Sequence, residues 1–559
     1  MKRILSLVLC IILALSLFSC AKENPNSASS AMTQSEVEIS SETDGSETSS
    51  KDKTSSKDKT SSKDKNSSSK KEEESSSSKK NNARPDNTES ETSSKDIAED
   101  TGVITSLMKL WSADVSVGDI IELDIKPYAK GEYKIVKGDY NGDDALAIDM
   151  GNGKFAIRYF KEHNAWKKNV PSGSFVAHKG FNGYTDAPER TSAVYPANTL
   201  EAVKHAVRIG FKMVEIDITV TKDGVWVLNH DGNDNELSNT GGGIPLASLN
   251  WSDIKSGYIS RQWITGGWYS FSSALKKEYI TTLDDVLAYL KTTDVVAILD
   301  CKFLDNHKFT DAEMDKLAAL IEKHGVEEQC GAYAACNGPL ILRVPEIISV
   351  FTEVPNKGSE EKTKNYLSTL KNYMISISSS AYKNAVAGAK KYNIPLAVWT
   401  CDDYKAAQEI FKNGADFVLT NCLVNNPNFK DYETVKSYSF GDLAAIGSAN
   451  SATIGANGVS IKNGGSVSFP VSYSGLGLKV GDIIELNAKS STAKGLLRIE
   501  TVGAPALRKA EIIADGKTSL YYIVNDNYAY DLSLILKSDD GSAVDFSDVS
   551  VRILRDKIR

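Results

Sequence analysis

Lys212-Met213-Val214-Glu215-Ile216-Asp217 and Val295-Val296-Ala297-Ile298-Leu299-Asp300-Cys301-Lys302 decide the fold. Each is a short apolar run of the kind that makes a buried strand, and each closes on charged residues. Residues two apart on a strand point to the same side, so Glu215 shares a face with Asp217, and Asp300 with Lys302. Similar apolar runs end near His178, Ala334, Phe351, Ser378, Thr400 and Thr420, with helical patterns between most of them. Together they make eight strands within roughly 250 residues, which is what a (β/α)8 TIM barrel, an α/β fold, requires. Such barrels carry their chemistry at the C-terminal ends of the strands, so the residues closing these runs are the candidate site.

The first strand, Ser174 to His178, ends in His178-Lys179-Gly180, and the hairpin after Asp217 delivers His230-Asp231. One mouth thus gathers Glu215, Asp217 and Asp300 with His178, His230, Lys179 and Lys302. Such a set has the parts of a metal-assisted phosphoryl-transfer site. Hard carboxylate oxygens favour Mg²⁺ or Ca²⁺ over Zn²⁺. The cation and Lys302 would neutralise phosphate oxygens, and two imidazoles can divide base and acid work.

From Phe175 to about Pro427 the chain resembles the glycerophosphodiester phosphodiesterase family. The family's His-Arg-Gly resembles His178-Lys179-Gly180, and its Pro-Glu-Asn-Thr resembles Pro196-Ala197-Asn198-Thr199. Its Gly-x-x-x-x-Glu-x-Asp is similar to Gly210 through Glu215 and Asp217, followed by Thr221-Lys222-Asp223-Gly224 and His230-Asp231. Thr281-Thr282-Leu283 through Leu287, Asp300-Cys301-Lys302, Val398-Trp399-Thr400 and Gly414 to Thr420 match its later strands. The resemblance implies His178 and His230 as the acid/base pair, and Glu215, Asp217 and Asp300 as ligands of Ca²⁺ or Mg²⁺. It implies Lys302 and Lys179 on the phosphate, and cleavage of a glycerophosphodiester to glycerol 3-phosphate and an alcohol through a cyclic phosphate that water opens. Four positions depart from the pattern: Lys179 for arginine, Ala197 for glutamate, Asp300 for glutamate, and Asn421 where aspartate is common. They imply altered substrate choice or weakened catalysis; the shorter Asp300 in particular implies a cation that shifts or is reached through water. Two alternatives stand beside this reading: a phospholipase D or lyase-type relative acting on lipid head groups, and a surface carbohydrate- or wall-binding protein with a decayed barrel.

Outside the barrel (residues 171–430), Lys2 and Arg3 precede an apolar run, Ile4 to Phe18, too short for a membrane span and typical of a secretory signal. Its end, Leu17-Phe18-Ser19-Cys20, resembles the lipobox of bacterial lipoproteins, so residues 1–20 are expected to be a signal and Cys20 the lipid anchor of an extracytoplasmic, membrane-attached protein. Residues 21–98 are Ser, Lys, Thr, Asp and Glu with almost nothing apolar, and are expected to form a disordered tether. Their lysines alternate with acids, and the net charge is -8, which argues against nucleic acid. Residues 99–170 predict a small β-module and residues 435–559 a C-terminal β-sandwich, with a cell-wall or glycan ligand as one expectation. Val-Gly-Asp-Ile-Ile-Glu-Leu occurs at Val117–Leu123 and again at Val480–Leu486, so the two segments are either related modules or parts of one.

Among the barrel cysteines, Cys301, Cys330, Cys336, Cys401 and Cys422, buried free thiols are expected, with Cys330–Cys336 the one pairing to consider. The insertion Gly232 to Ile280, with Trp251, Trp263, Trp268 and Tyr269, either recognises the alcohol or forms a small core of its own. Trp399 is expected to line the substrate pocket or to fill the barrel. Asp139-x-Asn141-x-Asp143 lacks the glycine and closing glutamate of a calcium loop and reads as a turn. His163, His205, His307 and His324 lie away from the strand ends and are expected to be structural.

Overall fold

In the computed structural model the described residues are 102–104, 115–124, 130–140, 143–149, 155–160, 162–183, 195–264, 267–270, 276–302, 309–333, 340–341, 343–424, 428–503, 509–524 and 530–558. The signal, Cys20, the tether, His307 and Cys336 lie outside them. Among the described residues no helix is long and apolar enough to cross a membrane.

Five strands precede the barrel: β1 (Val103–Ile104), β2 (Ile120–Leu123), β3 (Gly131–Tyr140), β4 (Asp143–Asp149) and β5 (Phe155–Tyr159), forming one sheet in sequence order. β3 and β4 pair antiparallel up to Tyr140 and Asp143, and the centre of the Asp139–Asp143 stretch lies outside the described residues.

The barrel strands are β6 (Ser174–Ala177), β7 (Met213–Val220), β11 (Val296–Cys301), β12 (Cys330–Tyr333), β13 (Ile348–Phe351), β14 (Asn372–Ser378), β15 (Leu396–Trp399) and β16 (Phe417–Thr420). The antiparallel strand β8 (Trp226–Leu228) and the hairpin β9 (Arg261–Ile264) and β10 (Gly267–Ser270) belong to the excursion after β7. Each barrel strand pairs in parallel with the next; β16 pairs with β6, β6 with β7 and β7 with β11, which closes the cylinder. Helices follow the strands as the apolar patterns predict. The helix Leu200–Ile209 starts where the Thr199 hydroxyl accepts the Ala202 amide, and it buries Ala202, Val203, Ala206 and Ile209 against the barrel.

Inside the cylinder the strand alternation sorts chemistry by height. Val176, Met213, Val296, Ile298, Ile348, Met374, Ala397 and Phe417 fill the lower interior as one apolar cluster. Its floor comes from the segment before β6, where Trp166 is 3% exposed and packs its ring 5.7 Å from that of Phe417. Asn164, in the left-handed conformation, holds this plug: its amide donates to the Lys371 carbonyl, and its side-chain oxygen accepts the Tyr373 amide at 2.7 Å.

After the barrel come β17 (Tyr432–Tyr438), β18 (Ser448–Ile454), β19 (Gly458–Val471), β20 (Ile483–Thr501), β21 (Lys509–Ile523), β22 (Leu532–Ser538) and β23 (Val544–Asp556), all in one antiparallel sheet. Because β23 pairs with both β19 and β20, and β22 also pairs with both, the sheet folds back on itself around Phe469, Leu497, Leu534 and Phe546. The expected sandwich is therefore a single sheet closed on itself. It is fixed to the barrel: Gln408 exchanges two hydrogen bonds of 2.9 Å with the Ile513 backbone, Arg208 donates to Asp556 at 2.9 Å, and Tyr432 meets buried His205 at 3.2 Å.

The two copies of the repeat fold alike but lie in separate sheets. Gly118 and Gly481 have φ of 103° and 90°, which favours glycine. Gly118 donates to the Ile135 carbonyl and Gly481 to that of Val524, while the Asp119 and Asp482 carboxylates accept the amides of Ser116 and Lys479.

The cysteine expectation needs correction. Cys330, Cys401 and Cys422 are free and buried, but Cys301 is in a disulfide whose partner lies outside the described residues. Cys330 is not in a pair; β12 places it outside the barrel interior, in the layer beneath the helices.

Trp166→Ala is expected to cost about 3–5 kcal/mol, because it empties the barrel floor. Urea denaturation followed by circular dichroism checks this; a midpoint unchanged from wild type would show that the plug does not support the barrel.

Candidate active site

Above the apolar layers the inward positions turn polar. Met213 points inward, so Glu215 and Asp217 do too, and the register sets Ile298 beside Glu215 and Asp300 beside Asp217. Oxygens of Glu215, Asp217 and Asp300 all lie within 4.8 Å of one another. Glu215 is 3% exposed and Asp217 1%.

Every carboxylate in this group is held. The Lys179 backbone amide donates to Glu215 at 2.9 Å. Asn198 donates its amide to Asp217 at 2.8 Å and accepts the Asp217 backbone amide at 3.0 Å. Lys302 reaches Asp300 at 2.6 Å and Asp217 at 3.3 Å. The Pro196–Thr199 motif thus has two jobs: Thr199 starts a helix, and Asn198 fixes a carboxylate.

Burial, together with repulsion from Asp217 and Asp300, pushes the Glu215 carboxyl far above its usual range. Burial acts in the same direction on Asp217, but Lys179, His230 and Lys302 outweigh it and hold that group down to about 2. The Asp300 carboxyl is raised, first by burial. Three carboxylates facing the one ammonium of Lys302 carry surplus negative charge, and their oxygens suit a hard divalent cation. Asp300 therefore lies with the other two carboxylates despite its short side chain.

The two imidazoles are oriented differently. His178 Nδ1 lies 2.8 Å from Asn421 Oδ1, and the Asn421 amide nitrogen donates to Asp402 at 2.7 Å. A carboxylate only accepts, so Asn421 turns its oxygen to the ring, His178 donates from Nδ1, and the Nε2 lone pair faces Glu215, 3.8 Å away. Asp402 is itself pinned by the Asn421 backbone amide and the Thr420 hydroxyl, both at 2.7 Å. Burial pushes His178 down to about 4, and neighbouring Lys179 adds to the shift. His230 instead lies against a carboxylate, Asp231, with Nδ1 2.6 Å from Oδ1. That contact holds the Asp231 carboxyl below its usual range.

Several functional neighbours escaped sequence reasoning. Tyr333 and Ser376 form a short hydrogen bond inside the barrel, and Glu215 raises the already buried Tyr333 hydroxyl further. Glu236, in the excursion after β8, is 4% exposed in a small open cleft that Lys179, Asn198, His230 and Asp231 also line. Gln262 of β9 clamps Ala197 through both backbone groups, at 2.9 and 3.0 Å. The signal available for these residues was only that the excursion exists. Its own apolar cluster, Val227, Leu237, Leu246, Ile254, Ile259 and Ile280, shows that it builds a small core. The side chains of Trp263, Trp268 and Tyr269 lie outside the described residues, while Trp251 packs partly buried on that cluster. Trp399 ends β15 at the mouth, 40% exposed, so it does not fill the barrel. His163, His205 and His324 are bound to Leu370, Tyr432 and Asp284, as structural histidines would be.

Fold and mouth together set a buried carboxylate cluster and two imidazoles at the C-terminal end of an eight-stranded parallel barrel. Residues 178–423, the barrel, match the glycerophosphoryl diester phosphodiesterase family, which marks this domain as a phosphoric diester hydrolase. Among solved structures the chain is similar to glycerophosphodiester phosphodiesterases of Agrobacterium tumefaciens (18% identity, 44% of this chain and 96% of that one, TM-score 0.33) and Thermotoga maritima (20%, 44% and 94%, 0.31). It is also similar to an Oleispira antarctica phosphodiesterase in complex with the product sn-glycerol-3-phosphate (16%, 45% and 93%, 0.34). No curated protein matches the sequence.

Glu236 gives a stability test. Burial, then Asp231, raise its carboxyl to about 8 from 4.5, with Lys179 and Gln262 opposing and Asp217 adding slightly. Between those values the folded state holds a proton that the unfolded chain releases, so stability is full below 4.5 and is lost as pH rises toward 8, at up to about 1.4 kcal/mol per pH unit. The melting temperature of Glu236→Gln minus that of wild type is expected to grow across this window. A constant difference would show that Glu236 titrates normally.

Proposed function

We propose that this barrel hydrolyses glycerophosphodiesters to glycerol 3-phosphate and an alcohol, with a divalent cation on Glu215, Asp217 and Asp300 and acid/base work by His178 and His230. One observation carries this reading: two imidazoles with opposite hydrogen-bonding arrangements flank a crowded, buried carboxylate cluster. The oxygen donor set favours Ca²⁺ or Mg²⁺, which when bound would neutralise phosphate charge in a site poor in water.

His178 takes the base role, since its Nε2 lone pair faces the cluster and its Nδ1 proton is committed to Asn421. It accepts the proton of the attacking glycerol 2-hydroxyl as that oxygen bonds to phosphorus. His230, oriented by Asp231 through Nδ1, takes the acid role and gives its proton to the departing alcohol oxygen as the other ester bond breaks. Water then opens the cyclic phosphate with the two roles reversed, and the sum is one water consumed per diester. Lys302 and Lys179 supply positive charge to the phosphate; Lys179 acts as a point charge where a guanidinium would grip in two places. Asp402 is a positioning residue, since it reaches the chemistry only through Asn421. Asn421 is suited to that post, because its amide bridges an acceptor and a donor at once. We also propose that the chain is exported and held at a membrane through acylated Cys20, which mass spectrometry of the mature N-terminus tests.

Glycerol 3-phosphate release from glycerophosphocholine and glycerophosphoglycerol is expected with Ca²⁺ or Mg²⁺ and to stop with chelator. His178→Ala and Glu215→Ala are each expected to lower kcat by about 10²-fold or more. A cyclic phosphate as final product would favour the lyase-type alternative, and no turnover of any diester would favour the binding-protein one. For Asp402→Asn, kcat is expected to fall about tenfold or more with KM little changed; a rise in KM alone would place Asp402 on the substrate.

A further inference from the structure

The cleft beside His230 has a lining that the barrel alone does not supply. Its far wall comes from the excursion between β8 and the helix Leu283–Leu290, which contributes Glu236 and Gln262. Both side chains are buried, at 4% and 3% exposure, and the Gln262 amide is a hydrogen-bond partner of the Glu236 carboxyl. Gln262 is fully oriented, because its amide oxygen and nitrogen are both engaged by the Ala197 backbone. The Glu236 backbone carbonyl is tied in turn by the amide and hydroxyl of Ser260, and Arg261 donates to Asn235 at 2.8 Å. A buried carboxyl held this firmly beside an acid catalyst is costly unless it meets a partner. It stands next to Ala197, the position where the related motif has a glutamate.

We propose that Glu236, oriented by Gln262, binds a hydroxyl of the leaving alcohol, so that the enzyme selects diesters whose second alcohol is a neutral polyol over those with a cationic head group. This rests on the phosphodiesterase reading above, in which His230 protonates that alcohol. The lining fits a polyol in three ways. It offers donors and acceptors, from Asn198, Glu236 and Gln262, that match hydroxyl groups. Among the described residues it holds no Trp, Tyr or Phe, which a quaternary ammonium would need for a cation–π cage. Asp231, the other acid of the lining, is already matched by His230 and Lys179, and burial keeps the Glu236 carboxyl protonated over most of the neutral range, so Glu236 adds no further counter-charge for a cation.

The test compares kcat/KM for glycerophosphoglycerol and glycerophosphocholine in wild type, in Glu236→Gln, which keeps hydrogen-bonding capacity, and in Glu236→Met, which keeps volume alone. Wild type is expected to prefer the polyol diester about tenfold or more. Glu236→Met should lower that preference ratio at least tenfold, through KM, while Glu236→Gln keeps most of it. A ratio unchanged in Glu236→Met, or a wild type without preference, overturns the inference. Calorimetric titration of both diesters into His178→Ala, with and without Glu236→Met, reads the same preference without turnover. If wild type hydrolyses neither diester, the phosphodiesterase reading fails and the titrations alone decide: tighter polyol binding that depends on Glu236 supports the inference, and equal binding overturns it.

Discussion

Glu215 and Asp217 on β7, and Asp300 in register on β11, are forced into one small volume by strand alternation and parallel pairing. Like charges this close, in a place where water is scarce, repel one another by about 4 kcal/mol per pair. The neighbouring residues answer that repulsion. Lys302 lies between two of the carboxylates, Asn198 donates to that of Asp217 while its oxygen accepts the Asp217 backbone amide, and the backbone at Lys179 turns left-handed to aim an N–H at Glu215. The left-handed turn also explains the neighbouring glycine: Gly180 has φ 74°, and a Cβ there would lie 3.2 Å from a Val203 methyl. The Gly-His neighbourhood, the Asn-Thr helix start and the strand-end lysine are thus parts of one electrostatic solution.

The same constraint separates the imidazoles. His178 emerges from a strand in the wall and inherits its surroundings from the next strand, where Asn421 and Asp402 are locked together. His230 comes from outside the cylinder, on the β8 excursion, and carries its carboxylate with it in the adjacent residue. A neutral amide lies against one ring and a carboxylate against the other, so the two imidazoles meet the phosphorus with unlike partners behind them, as a base and an acid acting on its opposite sides require.

Much of this was legible in the sequence, because period and spacing are local. Seven of the eight barrel strands end within one residue of their apolar runs, β7 alone continuing past Asp217 to Val220, and the alternation of Met213, Glu215 and Asp217 gave the inward face without any tertiary information. Residues whose roles depend on distant pairing were not legible. Asp402 is one turn-forming acid among many until Asn421 is seen beside it. Glu236 looks like any acid in a polar loop, and Gln262 finds Ala197 across 65 residues of chain. How near Asp300 comes to Asp217 was likewise not legible, since only the β7–β11 register sets the two side by side. The cysteine expectation failed because spacing in sequence says nothing of which thiols face each other.

The repeated Val-Gly-Asp-Ile-Ile-Glu-Leu invites a reading as a shared ligand motif, but its chemistry is consumed internally. In both copies the glycine supplies a left-handed turn and a strand hydrogen bond, and the aspartate carboxylate closes on the amide three residues before it. What differs is the surrounding sheet. Ile483 is fully buried where β20 is paired on both sides in a sheet that closes on itself, whereas the matching Ile120 is 66% exposed in the smaller open sheet. Identical sequence has therefore been kept for entering a strand, while burial of that strand is set by what surrounds each copy. A ligand of either module would have to be recognised by residues outside the repeat. In the C-terminal copy, moreover, the face toward the barrel is already occupied, by Gln408 reading the Ile513 backbone and Arg208 paired with Asp556.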